Sequence, residues 1–331
     1  MKVAINGFGR IGRSFFKIAF DKGIDIVAIN DIHGVEDAAY LLKYDSVYGK
    51  YKYNVSVGKD SILVNGKKII VLNNREPLNL PWKKLGVDVV IESTGVFRDR
   101  TGASKHIKAG AKYVLVSAPT KGESDITLVP GVNDKKLEKK HSIISVASCT
   151  TNCLAPIVKV LHQNFVVENG FMTTIHAYTS SQALVDDSHN KPTRGRAAAL
   201  NIVPTTSGAT EAVEEVIPEM KGKINGLAIR VPVACGSITD FVATLRKKTN
   251  AKEINSIFKR ASQGELKGII EYSEEDLVSS DIIGNPHSAI ISAKNTQVNK
   301  NMVKILAWYD NEYGYSNRVV DVIKMLEKWV K

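Results

Sequence analysis

Three features of the sequence predict an α/β chain built from two domains. Short apolar runs alternate with stretches of helical spacing through the first half. A turn with regularly spaced glycines, Gly7-Phe8-Gly9-Arg10-Ile11-Gly12, joins the first such run to the first helix. The second half carries longer strand-like segments after a cysteine-bearing helix start near mid-chain. The expected architecture is an α/β N-terminal dinucleotide-binding (Rossmann-like) domain plus an α+β domain with a mixed or antiparallel sheet. A length of 331 residues suits two domains.

Taken in order, Val3-Ala4-Ile5-Asn6 reads as a buried strand, and Ile11, Phe15, Ile18 and Ala19 follow at helical spacing. Ile24 to Asn30 is a second strand ending on Asp31, about 20 residues beyond the glycines, as the dinucleotide fingerprint requires. The first glycine permits the tight turn, the second admits the pyrophosphate to the backbone, and the third lets helix and strand pack closely. Gly7, Gly9, Arg10, Ile11 and Gly12 are therefore candidate cofactor residues, with pyrophosphate at the helix N-terminus. Asp31 is placed to accept the adenosine ribose hydroxyls and to repel a 2′-phosphate, which favours NAD over NADP.

Val35 to Tyr44 reads as helix, and Ser61 to Leu72 as a hairpin around Asn65-Gly66. Val87 to Glu92 is a strand ending in Ser93-Thr94-Gly95, and Lys112 to Ser117 another, ending at Ala118-Pro119. Small polar residues at strand ends suit the carboxyl edge of a parallel sheet, so Thr94, Gly95 and Ser117 join the cofactor candidates.

The apolar run Ser142 to Ala147 ends on Ser148, a good N-cap, which puts Cys149 in the first turn of a helix. A helix N-terminus favours a thiolate, and cysteines so placed have pKa values of roughly 3.5–7.5. The competing reading is a small apolar filler. A possible base, His176, lies on strand-like Phe171 to Tyr178, on one face with Met172, Thr174 and Tyr178. Thr179 to Asn201 then forms a long polar loop of the kind that usually carries function. Helices at Ala209 to Ile217 and Ala251 to Gln263 follow, with strands at Ile224 to Pro232, Ser237 to Lys247 and Met302 to Tyr309. Tyr315 to Val330 is an amphipathic terminal helix suited to returning to the first domain. The expected division is 1–148 plus 312–331 for the NAD-binding domain and 149–311 for the catalytic domain.

Composition is that of an ordinary soluble globular chain, 44% apolar and 24% charged. No apolar run approaches the ~18 residues of a membrane span. Met1-Lys2 passes straight into a strand without signal-peptide architecture, so a cytoplasmic location is expected. Three cysteines, at 149, 153 and 235, make no paired disulfide framework. Without a further Cys/His pair beside Cys149 and Cys153, no metal is expected. The net charge of +11 is compatible with nucleic acid, an anionic membrane surface or phosphorylated small molecules. The lysines are scattered in pairs, so nucleic acid is not expected as the primary partner.

The motifs Ala147-Ser-Cys-Thr-Thr-Asn-Cys-Leu-Ala-Pro156, Asn6-Gly-Phe-Gly-Arg-Ile-Gly-Arg13 and Trp308-Tyr-Asp-Asn-Glu-Tyr-Gly-Tyr315 closely resemble the phosphorylating glyceraldehyde-3-phosphate dehydrogenase family, in order along the whole chain. The resemblance implies oxidation of D-glyceraldehyde 3-phosphate to 1,3-bisphosphoglycerate with reduction of NAD+, a step of glycolysis and gluconeogenesis. Cys149 would form a thiohemiacetal and then a thioester, with His176 as base and acid and inorganic phosphate as the second substrate. It also implies that Thr179 and Arg230 hold the substrate phosphate, and that Ser148, Thr150, Ser207 and Gly208 hold the attacking phosphate. Asn311 would fix the nicotinamide carboxamide, with Tyr315 beside the ring. A homotetramer is implied, with the Thr179–Asn201 loop near a subunit interface.

The chain departs from the common pattern at Ser180-Ser181, where many members carry Asn-Asp, and at Ser207, where Thr is usual. Ser188 stands where NAD-preferring members usually carry Pro and NADP-accepting ones can carry Ser. Asp31 is the stronger discriminator, so NAD is expected, with NADP open. Among relatives, erythrose-4-phosphate dehydrogenase is the rival, but Tyr178-Thr179 and Ser207-Gly208 match the triose-phosphate enzyme better. A basic nucleic-acid-binding protein on a nucleotide fold is the rival of another class, and the chain lacks the RNP-like stretches or recognition helix it would need.

Overall fold

A computed structural model describes residues 1–330, which divide into two compact units. The first comprises Met1–Leu128, Lys135–Ala147 and the C-terminal segment from Ser316; the second comprises Val129–Asp134 and Ser148–Tyr315.

The first unit runs β1 (Lys2–Asn6), α1 (Arg10–Asp21), β2 (Asp25–Asn30), α2 (Val35–Lys43), β3 (Val55–Val57), β4 (Ser61–Val64) and β5 (Lys67–Leu72). It continues through α3 (Trp82–Leu85), β6 (Val89–Glu92), α4 (Arg100–Lys108), β7 (Tyr113–Val116), β8 (Ile126–Thr127) and β9 (Ile143–Ser145). Its sheet has the order β3-β4-β5-β2-β1-β6-β7-β9-β8. Pairing is parallel from β5 to β8 and antiparallel from β3 to β5. Strands such as β6 and β7 are buried at every residue, which is why they read as unbroken apolar runs. The predicted hairpin is β4–β5, turning on Asn65 (φ 49°) and Gly66 (φ 81°), the two positive-φ positions of a type I′ turn. Helix α4 escapes prediction because it buries only Gly102, Ala103 and His106 and depends on its Asp99 cap.

β1 pairs with β2 on one side and β6 on the other, so a crevice opens at their carboxyl ends. Beneath that edge Glu92 is buried to 1% exposure. Its carboxylate accepts from Asn6 Nδ2 (2.6 Å), the Thr94 N–H (2.8 Å) and the Thr94 hydroxyl. His106 Nε2 lies 3.1 Å from the same carboxylate. Trp82 Nε1–H donates to His106 Nδ1 at 3.0 Å, which assigns the ring proton to Nε2 and hence a donor to Glu92. Four donors thus fill the acceptor sites of one buried carboxylate.

The second unit opens with α5 (Cys149–Phe165), β10 (Val167–Ala177), β11 (Val203–Thr205), α6 (Ala209–Val216), β12 (Ile224–Val231), β13 (Ser237–Leu245) and α7 (Ala251–Gln263). It closes with β14 (Ile270–Ser273), β15 (Ala289–Ser292), β16 (Gln297–Asn299), β17 (Met302–Tyr309) and the start of α8 (Tyr313–Leu326). The sheet order is β11-β12-β10-β13-β17-β15-β14, with β16 on β17. Pairing is mixed, with β10–β12 and β14–β15 parallel and the rest antiparallel. The four-residue β14 and β15 are too short to show a period in sequence. α8 ends at Leu326, short of the predicted Val330, and passes into a 3-10 turn over Glu327–Trp329. The β10–β12 register sets His176 opposite Arg230.

Glu92→Ala should destabilise the first unit by about 3 kcal/mol, because the buried donors of Asn6 and His106 lose their acceptor together. Urea unfolding measures this; a loss below about 1 kcal/mol would show that those donors find other partners.

Candidate active site

At the crevice of the first unit each glycine of the turn has its own steric reason. Gly7 sits at φ 93°, and a Cβ there would stand 2.7 Å from the Thr94 nitrogen. A Cβ on Gly12 would meet the Gly7 carbonyl oxygen at 2.2 Å, so this glycine lets α1 approach β1. A Cβ on Gly9 would meet nothing within 4 Å, which leaves its backbone open to a ligand. Gly9 caps α1 without a side-chain hydrogen bond, and the first turn carries no acid. Unpaired N–H groups at such an end suit a pyrophosphate. Gly7, Gly9, Asp31 and Thr94 line one cleft of about 480 Å³. These features fit a dinucleotide.

Other cofactor candidates lie differently. Arg10 donates to Asp45 at 2.8 Å and stands over the Tyr48 ring, so its guanidinium is engaged within the fold. Ile11 is half-buried in the first turn of α1, Gly95 adopts φ 75°, and the Ser117 N–H donates to the Glu92 carbonyl at 2.9 Å. The cleft is also lined by Asn6, Asn30, His33, Asn74, Arg75 and Phe97, none singled out from sequence. They come from separate strand ends, and only the sheet order brings them together.

In the second unit the Ser148 hydroxyl accepts the Thr151 N–H at 3.0 Å, the cap that the sequence predicts for α5. Cys149 follows at the first helical position, after Ala147 in the left-handed region (φ 53°). Its Sγ lies 3.4 Å from His176 Nε2. His176 Nδ1 is 2.6 Å from the Ala177 carbonyl oxygen, which assigns the proton to Nδ1 and leaves the Nε2 lone pair for the thiol. Arg230 Nη1 donates to that carbonyl (2.7 Å) and to Thr179 Oγ1 (3.2 Å). Thr150 Oγ1 is within hydrogen-bond reach of Tyr309 Oη at 2.9 Å and stands 4.0 Å from Sγ.

The titration of the pair corrects one expectation. Burial pushes the Cys149 thiol above its ordinary range, against the downward pulls of Arg230, Thr150 and the first-turn N–H groups. A helix N-terminus typically contributes only about 0.3–1 kcal/mol. For this half-buried thiol the upward push prevails, so the helix terminus does not by itself make a thiolate. Burial, reinforced by Arg230, pushes His176 down to about 3. The imidazole is therefore the neutral acceptor that the thiol needs. Cys153 is fully buried and pushed up to about 12 by burial, which leaves it inert.

Arg230 has no carboxylate among its contacts, so it is not an ordinary ion pair. Its Nε is buried without a partner. Arg194, which carried no sequence signal beyond lying in the long polar loop, donates to Thr205 Oγ1 (2.9 Å), the Thr206 carbonyl (3.2 Å) and Ser181 Oγ (3.4 Å). Ser181 in turn lies 2.9 Å from Thr179 Oγ1. A hydroxyl chain thus links the two guanidiniums. Ser207 Oγ accepts the Ala209 N–H at 3.3 Å, and Gly208 starts α6, which packs on α5. Two half-buried guanidiniums that meet no carboxylate among the described residues favour an incoming anion. Asn311 is buried, and its amide oxygen accepts from the Gly236 N–H (3.1 Å) and Ser237 Oγ (3.0 Å), leaving the NH2 end to donate. Tyr315 is buried, and burial holds its phenol well above the ordinary range.

Family models match the chain over residues 1–100 (glyceraldehyde 3-phosphate dehydrogenase, NAD binding domain) and 148–311 (glyceraldehyde 3-phosphate dehydrogenase, C-terminal domain). A glyceraldehyde-3-phosphate dehydrogenase of Borreliella burgdorferi is 54% identical, over 99% of this chain and 100% of the relative. That of Geobacillus stearothermophilus is 53% identical over 97% of each chain. The chloroplastic glyceraldehyde-3-phosphate dehydrogenase A of Chlamydomonas reinhardtii is 51% identical, over 100% of this chain and 90% of its own.

Replacing His176 by Asn should confine alkylation of Cys149 by iodoacetamide to alkaline pH, because burial then holds the thiol above its ordinary range with no base beside it. The unsubstituted protein should react at neutral pH. Stopped-time labelling with mass spectrometry across pH reads both profiles, and superimposable curves would remove the imidazole from thiol activation.

Proposed function

The chain belongs to the glyceraldehyde-3-phosphate dehydrogenase family and is an NAD-dependent oxidoreductase of glycolysis acting on glyceraldehyde 3-phosphate, and from that premise we propose how its residues divide the work. Residues 1–148 plus 312–331 hold the cofactor, and residues 149–311 carry the chemistry. Bound NAD+ supplies the hydride acceptor. Cys149 Sγ attacks the aldehyde carbon while His176 Nε2 takes the thiol proton and passes it to the new hemiacetal oxygen. Nε2 takes that proton back as hydride leaves the same carbon, and a thioester remains on Sγ. A base so placed typically contributes about 10²–10⁴-fold. Inorganic phosphate then adds to the thioester carbon, the C–S bond breaks, and the acyl phosphate departs as Sγ regains a proton. The thioester conserves the oxidation energy that hydrolysis would dissipate.

The observation that carries this reading is the 3.4 Å approach of Sγ to Nε2 beside guanidiniums that lack carboxylate partners. Arg230 and Thr179 would take the substrate phosphate. Thr150, Ser207 and Gly208 would take the attacking phosphate, together with Ser148 and aided by Arg194. Asn311 presents its amide to the nicotinamide carboxamide, with Tyr315 beside the ring.

A homotetramer is proposed on the family resemblance and on the exposed Leu184, Val185, Leu200 and Ile202 in and beside the long loop. Sedimentation as a monomer at micromolar concentration would refute it. Three free thiols suit a reducing, cytoplasmic compartment. No helix among the described residues is long and apolar enough to cross a membrane.

NAD reduction with glyceraldehyde 3-phosphate should require inorganic phosphate (or arsenate) for turnover. Arg230→Leu should lower kcat/KM for the aldehyde by roughly 10²-fold, the scale of a lost charge-assisted contact of about 3 kcal/mol. Turnover without phosphate at the full rate, or an unchanged kcat/KM in Arg230→Leu, would overturn the assignment.

A further inference from the structure

The cofactor cleft holds a second titratable group beside Asp31. His33 lies two residues on, in the turn between β2 and α2, and both side chains line the cleft. His33 Nδ1 is 3.0 Å from Asp31 Oδ1, and the His33 backbone N–H donates to the same oxygen at 3.1 Å. The other oxygen accepts the Phe8 N–H at 2.7 Å, which pins the carboxylate against the glycine turn. The Asp31 side chain is 18% exposed and that of His33 68%, so the imidazole stands mostly in solvent. The remaining charge lining the cleft is Arg75, and α2 opens with Glu36 and Asp37 in its first turn.

We infer that His33 makes the choice between NAD and NADP depend on pH: protonated, it offsets the Asp31 charge and admits a 2′-phosphate that the uncompensated carboxylate repels. The inference rests on the reading of this cleft as the dinucleotide site. An imidazole ordinarily titrates near pH 6.5, inside the working range of most enzymes. Above that range Asp31 faces the ribose as a full negative charge, and a 2′-phosphate brought beside it is opposed by like charge. Below it, the imidazolium at Oδ1 neutralises the carboxylate and offers its outward-facing edge to the phosphate. The sign is therefore fixed: acidification strengthens NADP binding relative to NAD, and alkalinisation weakens it. A ribose phosphate itself gains a proton near pH ~6, so the unsubstituted protein alone mixes two titrations. His33→Asn separates them, because an amide can keep a donor near Asp31 Oδ1 but carries no charge.

The test measures dissociation constants of NADH and NADPH by nucleotide fluorescence, at about pH 6 and about pH 8, for the full chain and for His33→Asn. On moving to the lower pH, the NADPH-to-NADH affinity ratio should rise about two- to fivefold more in the unsubstituted protein than in the variant, the factor expected of an exposed ion pair. At the higher pH the two ratios should converge. Equal pH responses in the two proteins would overturn the role of His33 while leaving the dinucleotide site intact. Failure of both nucleotides to bind at either pH would sink the cleft assignment and this inference with it.

Discussion

The second unit depends on a half-buried guanidinium that meets no counter-ion among the described residues. Arg230 is set opposite His176 by the parallel register of β10 and β12, and its donors go to the Ala177 carbonyl and the Thr179 hydroxyl. Neutral acceptors take its Nη1 donors, its Nε has none, and nothing there offsets its charge. The rest of the site follows from that deficit. Burial holds the imidazole neutral and the guanidinium adds to that; the guanidinium also works against the upward push of burial on the thiol and attracts an anion. The same Ala177 carbonyl accepts from the imidazole, so one oxygen orients both residues.

The first unit treats its buried charge in the opposite way. Glu92 is as deeply buried as any catalytic group, yet it is surrounded by donors from Asn6, Thr94 and His106, with Trp82 fixing the tautomer of the last. A carboxylate whose acceptor sites are filled has nothing left to offer a ligand. It ties the ends of β1 and β6 together at the point where the sheet order diverges, and so holds the walls of the cleft there. Burial alone does not separate a structural charge from a functional one; the count of compensating partners does.

What was legible in the sequence was what is decided locally. Gly12 answers to a contact within its own strand–turn–helix unit and Gly7 to one with the end of a neighbouring strand, Asn65-Gly66 demands its hairpin turn, and Ser148 caps the helix that follows it. Cys149 and His176 stand 27 positions apart, and the resemblance, rather than any spacing, pointed to their meeting. Arg194 and His33 were missed for a common reason. Each sits in a loop, belongs to no periodic pattern, and gains meaning only from neighbours supplied by other segments or by the fold of its own loop. Helix α4 was missed because its buried face is too small and too polar to register as amphipathic.

The ionisation of Cys149 shows most clearly where sequence reasoning stops. Helix position can be read from residues, and it supplies a downward pull on the thiol, but burial cannot be read so directly and here it prevails. Two groups that each resist charging when buried can still exchange a proton with one another, because the transfer creates opposite charges in contact. At 3.4 Å that attraction amounts to about 5 kcal/mol for an effective dielectric constant near 20, which offsets part of the cost of charging both groups. Proton transfer from the sulfur therefore depends on the pair and on the guanidinium beside it. A cysteine at the same helix position without that imidazole would be the small apolar filler that helix starts more commonly hold.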